Sequence, residues 1–237
     1  KLWSLVIFAG YAVLMVLFSQ IPDAKLHIYF LDIGQGDSIF VKTPENHQIL
    51  IDGGPENSVI EQLGEIMPYF DKSIDLVVLT HPHSDHVDGL VEVLKRFKVE
   101  NVLITGVTYK NPGYLEFLDE IEKQNINVIL ADASTDFKIG KVYLDVIYPQ
   151  NKIAGQKFSN VNNSSIAMKI SYKNAQILLT GDLELEAESE LIASGVDLQA
   201  DIFKAGHHGS RTSSSVNFLK KIRPKIVIIQ SGKGNSY

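Results

Sequence analysis

Three of the seven histidines in this chain lie within six residues, in the segment His81-Pro-His-Ser-Asp-His86. Residues 75–80, which precede it, form a short aliphatic run that predicts a buried strand. Residues 87–97, which follow it, are apolar at the spacing of a helix. The segment is therefore predicted to be a loop between a strand and a helix, at the carboxyl end of the strand, where open α/β folds place their chemistry.

The side chains of this segment suit a metal ion better than a packed core. His81, His83, Asp85 and His86 cannot all be buried for packing, because each would need a hydrogen-bonding partner of its own. The chain has no cysteine, so imidazole and carboxylate are the ligands that it offers a divalent cation. We predict a metal site here, with a solvated polar loop as the alternative.

Composition and charge narrow the class of protein. The 237 residues allow one large domain or two small ones, and the absence of cysteine excludes a disulfide framework. A net charge of −6 makes general binding to nucleic acid unfavourable. The stretch after Asp201, however, has no acidic residue, which predicts a local surface facing an anion unless it is a chance run of solvated cations. The cations of that stretch are Lys204, Arg211, Lys220, Lys221, Arg223, Lys225 and Lys233.

An uncharged apolar run from residue 2 to residue 18 opens the chain. At about 1.5 Å per residue, a helix of this length extended to Ile21 just crosses the core of a bilayer. Residues 1–21 are therefore predicted to form a transmembrane helix, with a secretory signal peptide and a buried core helix as alternatives. Residue 1 is Lys rather than Met, which suggests a fragment of a larger membrane protein with residues 22–237 as its folded domain.

Strands dominate the next part of the sequence and then alternate with helices. Strands are predicted at 26–31, 38–42, 48–51, 75–80, 101–105, 126–131, 137–140, 142–147, 165–172, 175–180, 201–204 and 225–230, and helices at 55–67, 87–97, 114–124, 184–194 and 214–222. Residues 149–163 are polar and predict a loop, and Lys173-Asn174 predicts a hairpin turn. This order predicts an α/β (α+β) fold in which sheets pack on each other with helices outside.

Two further polar clusters follow predicted strands. The segment Leu178-Leu-Thr-Gly-Asp182 places a carboxylate past one strand, and Gly206-His-His-Gly-Ser210 places two imidazoles past another. His27 and His47, outside these clusters, are interpreted as ordinary strand residues. The segment Gly34-Gln-Gly36 is interpreted as a β-turn rather than a nucleotide-binding loop, because a strand and not a helix follows it.

Together these motifs resemble those of the metallo-β-lactamase superfamily. In detail they are similar to the C-terminal domain of ComEC-type competence proteins, the membrane channels of natural transformation, over about residues 26 to 237. The segments that carry the resemblance are Phe30-Leu-Asp-Ile-Gly-Gln-Gly-Asp-Ser38, Leu50-Ile-Asp-Gly-Gly54, Leu79-Thr-His-Pro-His-Ser-Asp-His-Val-Asp-Gly89, Asn162-Asn-Ser-Ser165, Leu178-Leu-Thr-Gly-Asp-Leu-Glu184 and Lys204-Ala-Gly-His-His-Gly-Ser210.

The resemblance implies an αββα sandwich with two divalent metal ions at one edge, zinc or manganese. Asp52 would accept a hydrogen bond from a metal-binding imidazole and orient it, and Asp37 is a further candidate for such a supporting role. The implied ligands are His81 and His83 for the first ion, and Asp85, His86 and either His207 or His208 for the second, with Asp182 bridging the two.

The segment Asn162-Asn-Ser-Ser165 is a departure from many hydrolases of the superfamily, which have another His in this region. The first ion would then have three protein ligands, or an Asn oxygen in place of imidazole, so we expect a weak first site or one that prefers a harder ion such as manganese. The segment could also bind phosphate or simply form a turn. A second departure is the C-terminal end, where the domain is expected to be truncated relative to the family.

The function implied by the resemblance is that of a metal-dependent phosphodiesterase, a nuclease that degrades the non-transported DNA strand during uptake. Asp85, His207 and His208 would be catalytic. The implied partners are DNA, the membrane through helix 2–21, and other competence DNA-uptake proteins, with the domain on the outer face of the cell membrane. The residues expected to bind substrate are Asn162, Asn163, Ser164, Lys204, Ser210 and Arg211.

Two other functions remain open from the sequence. One is hydrolysis of a lactone, thioester or phosphocholine ester, because one fold hosts many substrates. The other is a non-catalytic module of a DNA channel that binds metal weakly. A deep apolar pocket would favour a small ester and an open basic groove would favour nucleic acid, whereas metal content separates both hydrolases from the non-catalytic module.

Overall fold

Strands form the centre of the fold in a computed structural model that describes residues 3, 4, 6–8, 10, 11 and 22–235. Within that part of the chain the strands are β1 (His27–Phe30), β2 (Ile39–Lys42), β3 (Gln48–Ile51), β4 (Ser73–Val78), β5 (Lys98–Ile104), β6 (Asn127–Leu130), β7 (Asp136–Ile139), β8 (Val142–Tyr148), β9 (Ala167–Tyr172), β10 (Ala175–Leu179), β11 (Ile202–Lys204) and β12 (Ile226–Ile228). The α-helices after residue 22 are α1 (Ser58–Ile66), α2 (Ser84–Arg96), α3 (Pro112–Gln124), α4 (Leu185–Ser194) and α5 (Val216–Ile222), and short 3₁₀ turns span Val161–Ser164 and His207–Gly209.

The strands are arranged in two sheets, with the order β1-β2-β3-β4-β5-β6 in the first and β12-β11-β10-β9-β8-β7 in the second. Strands β3 to β6 are parallel to one another, as are β10 to β12, and the other neighbours are antiparallel. The parallel strands of each sheet therefore end at one edge. We call the edge at which β3, β4, β5, β10, β11 and β12 end the carboxyl edge, and the opposite one the amino edge.

Apolar side chains fill three layers around these sheets. Side chains such as Val41, Val78 and Met168 pack between the two sheets. The outer face of the first sheet is covered by apolar residues of α1, α2 and α3, and that of the second by residues of α4 and α5, including Phe218. This alternation of inward and outward side chains along each strand produces the predicted αββα sandwich.

The element boundaries agree with the sequence patterns except at a few ends. The helix predicted from residue 55 begins at Ser58, and the helix predicted from residue 87 begins at Ser84. Asp85 and His86 therefore lie in the first turn of α2, whereas His81 and His83 lie on the loop before it. The predicted loop 149–163 runs into the 3₁₀ turn Val161–Ser164.

Most of the predicted transmembrane helix, residues 1, 2, 5, 9 and 12–21, lies outside the described residues. Residues 3, 4, 6–8, 10 and 11 are helical, with exposed side chains such as Trp3 and Phe8. Among the residues that are described, none belongs to a helix long and apolar enough to cross a membrane.

Candidate metal centre

Five polar segments meet at the carboxyl edge, each just past the end of a strand. The first sheet contributes three of them. The β1–β2 turn carries Asp37, Asp52 directly follows β3, and the segment after β4 carries His81. From the second sheet come the residues after β10 and β11, with Asp182 and His208. Side chains that are far apart in sequence therefore converge because parallel strands end together.

One oxygen of Asp182 is the centre of this cluster. Its Oδ2 lies 3.3 Å from Nε2 of His86 and 3.3 Å from Nε2 of His208, and 3.8 Å from Nε2 of His81. Two more side chains close the group: Asp85 Oδ2 lies 3.1 Å from Nε2 of His208, and His83 Nδ1 lies 3.0 Å from Nε2 of His81. The structure thus brings together most of the ligand set implied by the resemblance.

The donor set fits divalent cations. The atoms His86 Nε2 and Asp182 Oδ1 are buried and have no hydrogen-bond partner among the described residues, and a buried polar atom left unsatisfied costs about 1–3 kcal/mol. One ligand atom from each of Asp37, His86, Asp182 and His208 lies within 4.8 Å of the others. Imidazole nitrogens and carboxylate oxygens converging in this way are the ligands that zinc and manganese take.

Asp52 holds His86 in place from behind the cluster. Its Oδ2 accepts hydrogen bonds from His86 Nδ1 at 2.8 Å and from the Thr80 hydroxyl at 2.7 Å, and its Oδ1 accepts from the Thr80 backbone N–H at 2.8 Å. Burial raises the pKa of Asp52 above its usual value, although His86 opposes that shift. Because Nδ1 of His86 donates to Asp52, Nε2 is the nitrogen presented to the cluster.

Burial and charge divide the imidazoles into two classes. Burial holds the pKa of His81 well below its usual value, and it also lowers the pKa of His83. Burial would likewise lower the pKa of His86, but the carboxylates of Asp182 and Asp52 raise it well above the usual value. The pKa of His208 rises to about 12 despite burial, because it contacts three carboxylates, those of Asp182, Asp37 and Asp85.

The two adjacent histidines after β11 face different partners. His208 is buried and directs Nε2 into the cluster, while its Nδ1 lies 3.1 Å from the backbone oxygen of Gln230. His207 has a side chain that is 14% exposed, and its Nδ1 lies 3.1 Å from Glu184 Oε1 and 3.2 Å from Thr212 Oγ1. Of the two candidates that the sequence left open, the geometry favours His208 as the ligand.

Comparison with known proteins decides the family. The family model described as Metallo-beta-lactamase superfamily matches residues 31–233. This chain belongs to that superfamily.

Relatives of this metallo-beta-lactamase domain include competence proteins. The domain is 30% identical over 224 residues to ComE operon protein 3 of Bacillus subtilis (strain 168), in a match covering 87% of this chain and 28% of the relative. It is 27% identical over 240 residues to Competence protein ComA of Neisseria gonorrhoeae, covering 99% of this chain and 31% of the relative. The predicted resemblance to ComEC-type proteins is confirmed, and the chain spans less than a third of the length of these relatives.

A solved structure with the same fold is the metallo-beta-lactamase fold protein YhfI from Bacillus subtilis. It has a TM-score of 0.54 and 11% sequence identity, and the match covers 87% of both chains. At this identity the likeness concerns the fold alone.

The Asn-Ser segment of this metallo-beta-lactamase domain is held by Glu184. Asn162 Nδ2 donates to Glu184 Oε1 at 2.9 Å, and the backbone N–H of Glu184 donates to Asn163 Oδ1 at 2.9 Å. Ser164 is buried and its hydroxyl donates to the Val161 carbonyl within the same turn. These bonds favour the turn interpretation and leave Ser164 poorly placed to bind substrate, whereas Asn162 Oδ1 has no hydrogen-bond partner within residues 22–235.

Lys204 occupies a position that the sequence interpretation missed. Its side chain is 1% exposed, and its ammonium is bonded to the carboxylate of Asp37. We therefore revise its expected role, because a buried ammonium with a carboxylate partner does not reach a substrate outside. The sequence does show a Lys within the otherwise apolar segment Ile202-Phe-Lys-Ala205. A lysine buried in such a segment needs an anionic partner, and the spacing of residues along the chain does not identify that partner.

The other cations of the C-terminal stretch are divided between the two edges, which corrects the expectation of a single anion-facing surface. Arg211 and Lys233 are exposed on loops at the carboxyl edge, and Ser210 is buried beside Arg211 with its hydroxyl 3.0 Å from that of Thr212. The others lie at the amino edge, because α5 ends there before β12 begins. They are Lys220, Lys221, Arg223 and Lys225.

Glu184 and Gln230 are functional candidates that the sequence analysis did not assign. Glu184 contacts His207 and Asn162, and Gln230 accepts from His208 through its backbone. Neither has a motif of its own, and each is recognised only because the fold brings it beside a histidine.

Proposed function

We propose that this chain is the metal-dependent phosphodiesterase domain of a competence DNA-uptake protein, a nuclease that degrades the DNA strand that is not transported. The observation that carries the proposal is the convergence of His86 and His208 on one oxygen of Asp182. The potential ligand atoms His86 Nε2 and Asp182 Oδ1 are buried there without a hydrogen-bond partner in the described part of the chain. Membership of the superfamily and similarity to competence proteins support it.

The metal-binding side chains would be His81 and His83 on the loop, Asp85 and His86 on α2, and Asp182 and His208 from the second sheet. Bound there, divalent cations such as zinc or manganese supply an activated water and neutralise charge on the oxygens of the phosphodiester. Asp52 fixes the orientation of His86 through the bond to Nδ1. The support behind His81 is weaker, because its Nδ1 faces the Thr80 hydroxyl at 3.2 Å rather than a carboxylate. We therefore propose that the position built on His81 and His83 binds the weaker of two ions.

His207 is proposed as the proton donor to the leaving oxygen. It lies beside the cluster, with its ring centroid 6.0 Å from that of His208. Nδ1 of His207 lies within hydrogen-bonding distance of Glu184 and Thr212, and these two contacts fix the orientation of the imidazole ring. An imidazole held in this way at the mouth of a site can transfer a proton to substrate.

The surroundings of the cluster favour a polymeric anion as substrate. Ser84 and Gly209, on either side of the cluster, are exposed, so that its mouth is open. Loops at the same edge carry exposed cations, and a positive rim attracts phosphates. These cations are Lys110, Lys157, Arg211 and Lys233.

The setting of the domain is part of the same proposal. The apolar run 2–18 would anchor the chain in the cell membrane, with the domain on the outer face and other competence DNA-uptake proteins as partners. The similarity to a competence protein that is about three times as long supports a larger parent protein.

The test is cleavage of linear single- and double-stranded DNA by the purified protein with Mn²⁺ or Zn²⁺. Loss of even supporting residues at metal sites costs 10–100-fold, so Asp182→Asn is expected to lower the rate by about a hundredfold or more. The matched control is His47→Ala, which removes an imidazole that pairs with Asp75 at the amino edge and should leave the rate unchanged. Equal rates in the two variants would refute the proposal.

The same preparation separates the alternatives. Hydrolysis of a lactone, a thioester or a phosphocholine ester without DNA cleavage would indicate a small-ester hydrolase. Less than about one metal per chain after reconstitution, with no hydrolysis of any ester, would indicate a non-catalytic module of the channel.

A further inference from the structure

Lys204 is a buried cation in the layer between the two sheets. It lies on β11 two residues after Ile202, so both side chains face the first sheet, while Phe203 faces the helices. A buried ammonium is tolerated only with close partners. Those partners are the Asp37 carboxylate, the Gly181 carbonyl at 3.4 Å and Asp182 Oδ1 at 3.9 Å.

Asp37 uses its two oxygens differently. Oδ2 is bonded to Lys204, and Oδ1 lies 3.2 Å from His208 Nδ1, a nitrogen that also lies 3.1 Å from the carbonyl oxygen of Gln230. The same carboxylate is near enough to the ligand atoms of His86, Asp182 and His208 to join them around a cation. Asp37 therefore has two available roles, as a partner of the His208 imidazole or as a ligand of a cation. The contact with Lys204 affects which of the two roles it takes.

The other buried imidazole of the cluster, His86, also has a carboxylate beside Nδ1, without a backbone carbonyl as second partner among the described contacts. His86 donates through Nδ1 to Asp52, and the remaining capacity of Asp52 is taken up by the backbone and hydroxyl of Thr80. In both pairs a buried carboxylate lies beside Nδ1 of the imidazole, and another residue donates a hydrogen bond to that carboxylate. Thr80 does this for Asp52, and Lys204 does it for Asp37.

We propose that Lys204 is a positioning residue, whose buried ammonium keeps Asp37 as an acceptor for His208 and outside the coordination shell of a bound cation. This inference rests on the proposed metal-binding function. It makes Lys204 a determinant of which metal the site prefers, because an added carboxylate ligand favours manganese over zinc and an imidazole favours zinc.

The test is titration of the protein with Mn²⁺ and with Zn²⁺ by calorimetry, in wild type and in Lys204→Met, which shortens the unbranched side chain by one atom and removes its charge. Without the ammonium, Asp37 is expected to join the ligands, and His208 Nδ1 is expected to keep only the Gln230 carbonyl as its partner. The affinity for Mn²⁺ relative to Zn²⁺ should then rise by about tenfold, the size of effect that residues supporting metal ligands have.

The matched control is Lys169→Met. Lys169 is also buried, on β9, and pairs with Asp197 at 3.0 Å, but it has no contact with the cluster among those described. Both variants are expected to lower the unfolding temperature, and only Lys204→Met should change the ratio of affinities. An unchanged ratio in Lys204→Met would overturn the inference.

Two further variants test the role of Asp37 itself. In the double variant Asp37→Asn/Lys204→Met no carboxylate is available, so the ratio should return to that of wild type; a ratio as shifted as in Lys204→Met would exclude Asp37 as the cause. If Lys204→Met does not fold, Lys204→Gln, whose amide can donate to Asp37 without neutralising it, should give a smaller shift in the same direction, and no shift would overturn the inference. Failure of wild type to bind either metal would instead refute the proposed function together with this inference.

Discussion

The imidazoles of the cluster differ in protonation before any metal binds. Burial lowers the pKa of His81, so this ring is neutral at pH 7 and has a lone pair to offer. The carboxylates raise the pKa of His86 and bring that of His208 to about 12, so both rings carry a proton at the same pH. A cation that uses Nε2 of His86 and His208 must therefore displace protons.

Metal binding is accordingly expected to weaken as the pH falls. Between pH 6 and 8 the ring of His208, whose pKa is about 12, carries a proton, and the raised pKa of His86 favours the protonated form of that ring as well. At least one proton is therefore expected to leave per cation bound by this pair, and the affinity should fall by about tenfold or more per pH unit. Calorimetry in buffers with different heats of ionisation measures the number released. Binding without proton release in that range would contradict these pKa directions.

At the scale of elements, the approach of α2 to the end of β3 sets the position of His86. The Gly53 N–H donates to the His86 carbonyl at 2.8 Å, and the Gly89 N–H donates to the Gly54 carbonyl at 2.9 Å. A Cβ on Gly89 would lie 2.0 Å from the Gly53 oxygen. The helix can lie this close to the strand only because glycine stands at the contact.

Gly89→Ala is expected to push α2 away from β3 and disturb the bond between His86 and Asp52. Overpacking of this kind costs about 1–3 kcal/mol, and metal affinity should fall with the stability. The control is Gly64→Ala in α1, where a Cβ meets nothing within 4 Å and the helix gains up to about 1 kcal/mol. Urea unfolding measures both, and a Gly89→Ala variant as stable as wild type would show that the contact relaxes freely.

Periodicity identified most of these elements from the sequence. The hairpin through Lys173-Asn174 and the strands that end before Asp52 and Asp182 follow directly from alternating apolar residues and turn residues. The pattern of apolar residues predicts the start of α2 three residues too late. The first turn of this helix carries Asp85 and His86, so it is polar and does not show the helical spacing of apolar residues.

At the scale of the whole molecule, the cluster joins the two sheets. His81 and His86 belong to the first sheet and its helix, whereas Asp182 and His208 follow strands of the second. This combination explains the limit of the sequence interpretation. Polar residues just past predicted strands identified the segments with His81, Asp182 and His208. The pairing of Asp37 with Lys204 depends on how the sheets face each other, and no local sequence pattern indicates it.

A bound cation is therefore expected to stabilise the sandwich as a whole. At about a hundred times its dissociation constant a ligand adds about 2.7 kcal/mol, which for a domain of this size raises the unfolding temperature by about 5–10 °C. Addition of EDTA to the Mn²⁺-loaded protein should remove that increment. Asp182→Asn should unfold at one temperature with or without EDTA, and a metal-dependent shift in this variant would place the ion elsewhere.

The chain reaches β1 from the amino edge, since His27 at the start of β1 pairs with Lys42 at the end of β2, and Lys42 with Gln48 at the start of β3. The cluster lies at the other edge, four to seven strand residues away, or about 13–23 Å. The segment that leads into β1 therefore meets the sandwich on the side opposite the cluster. The proposed anchor at residues 2–18 would then hold the molecule from behind, so that the open end of a DNA strand, the proposed substrate, would enter the cluster without passing the anchor. The length of the connecting segment would set how far the cluster can move and would not restrict what enters it.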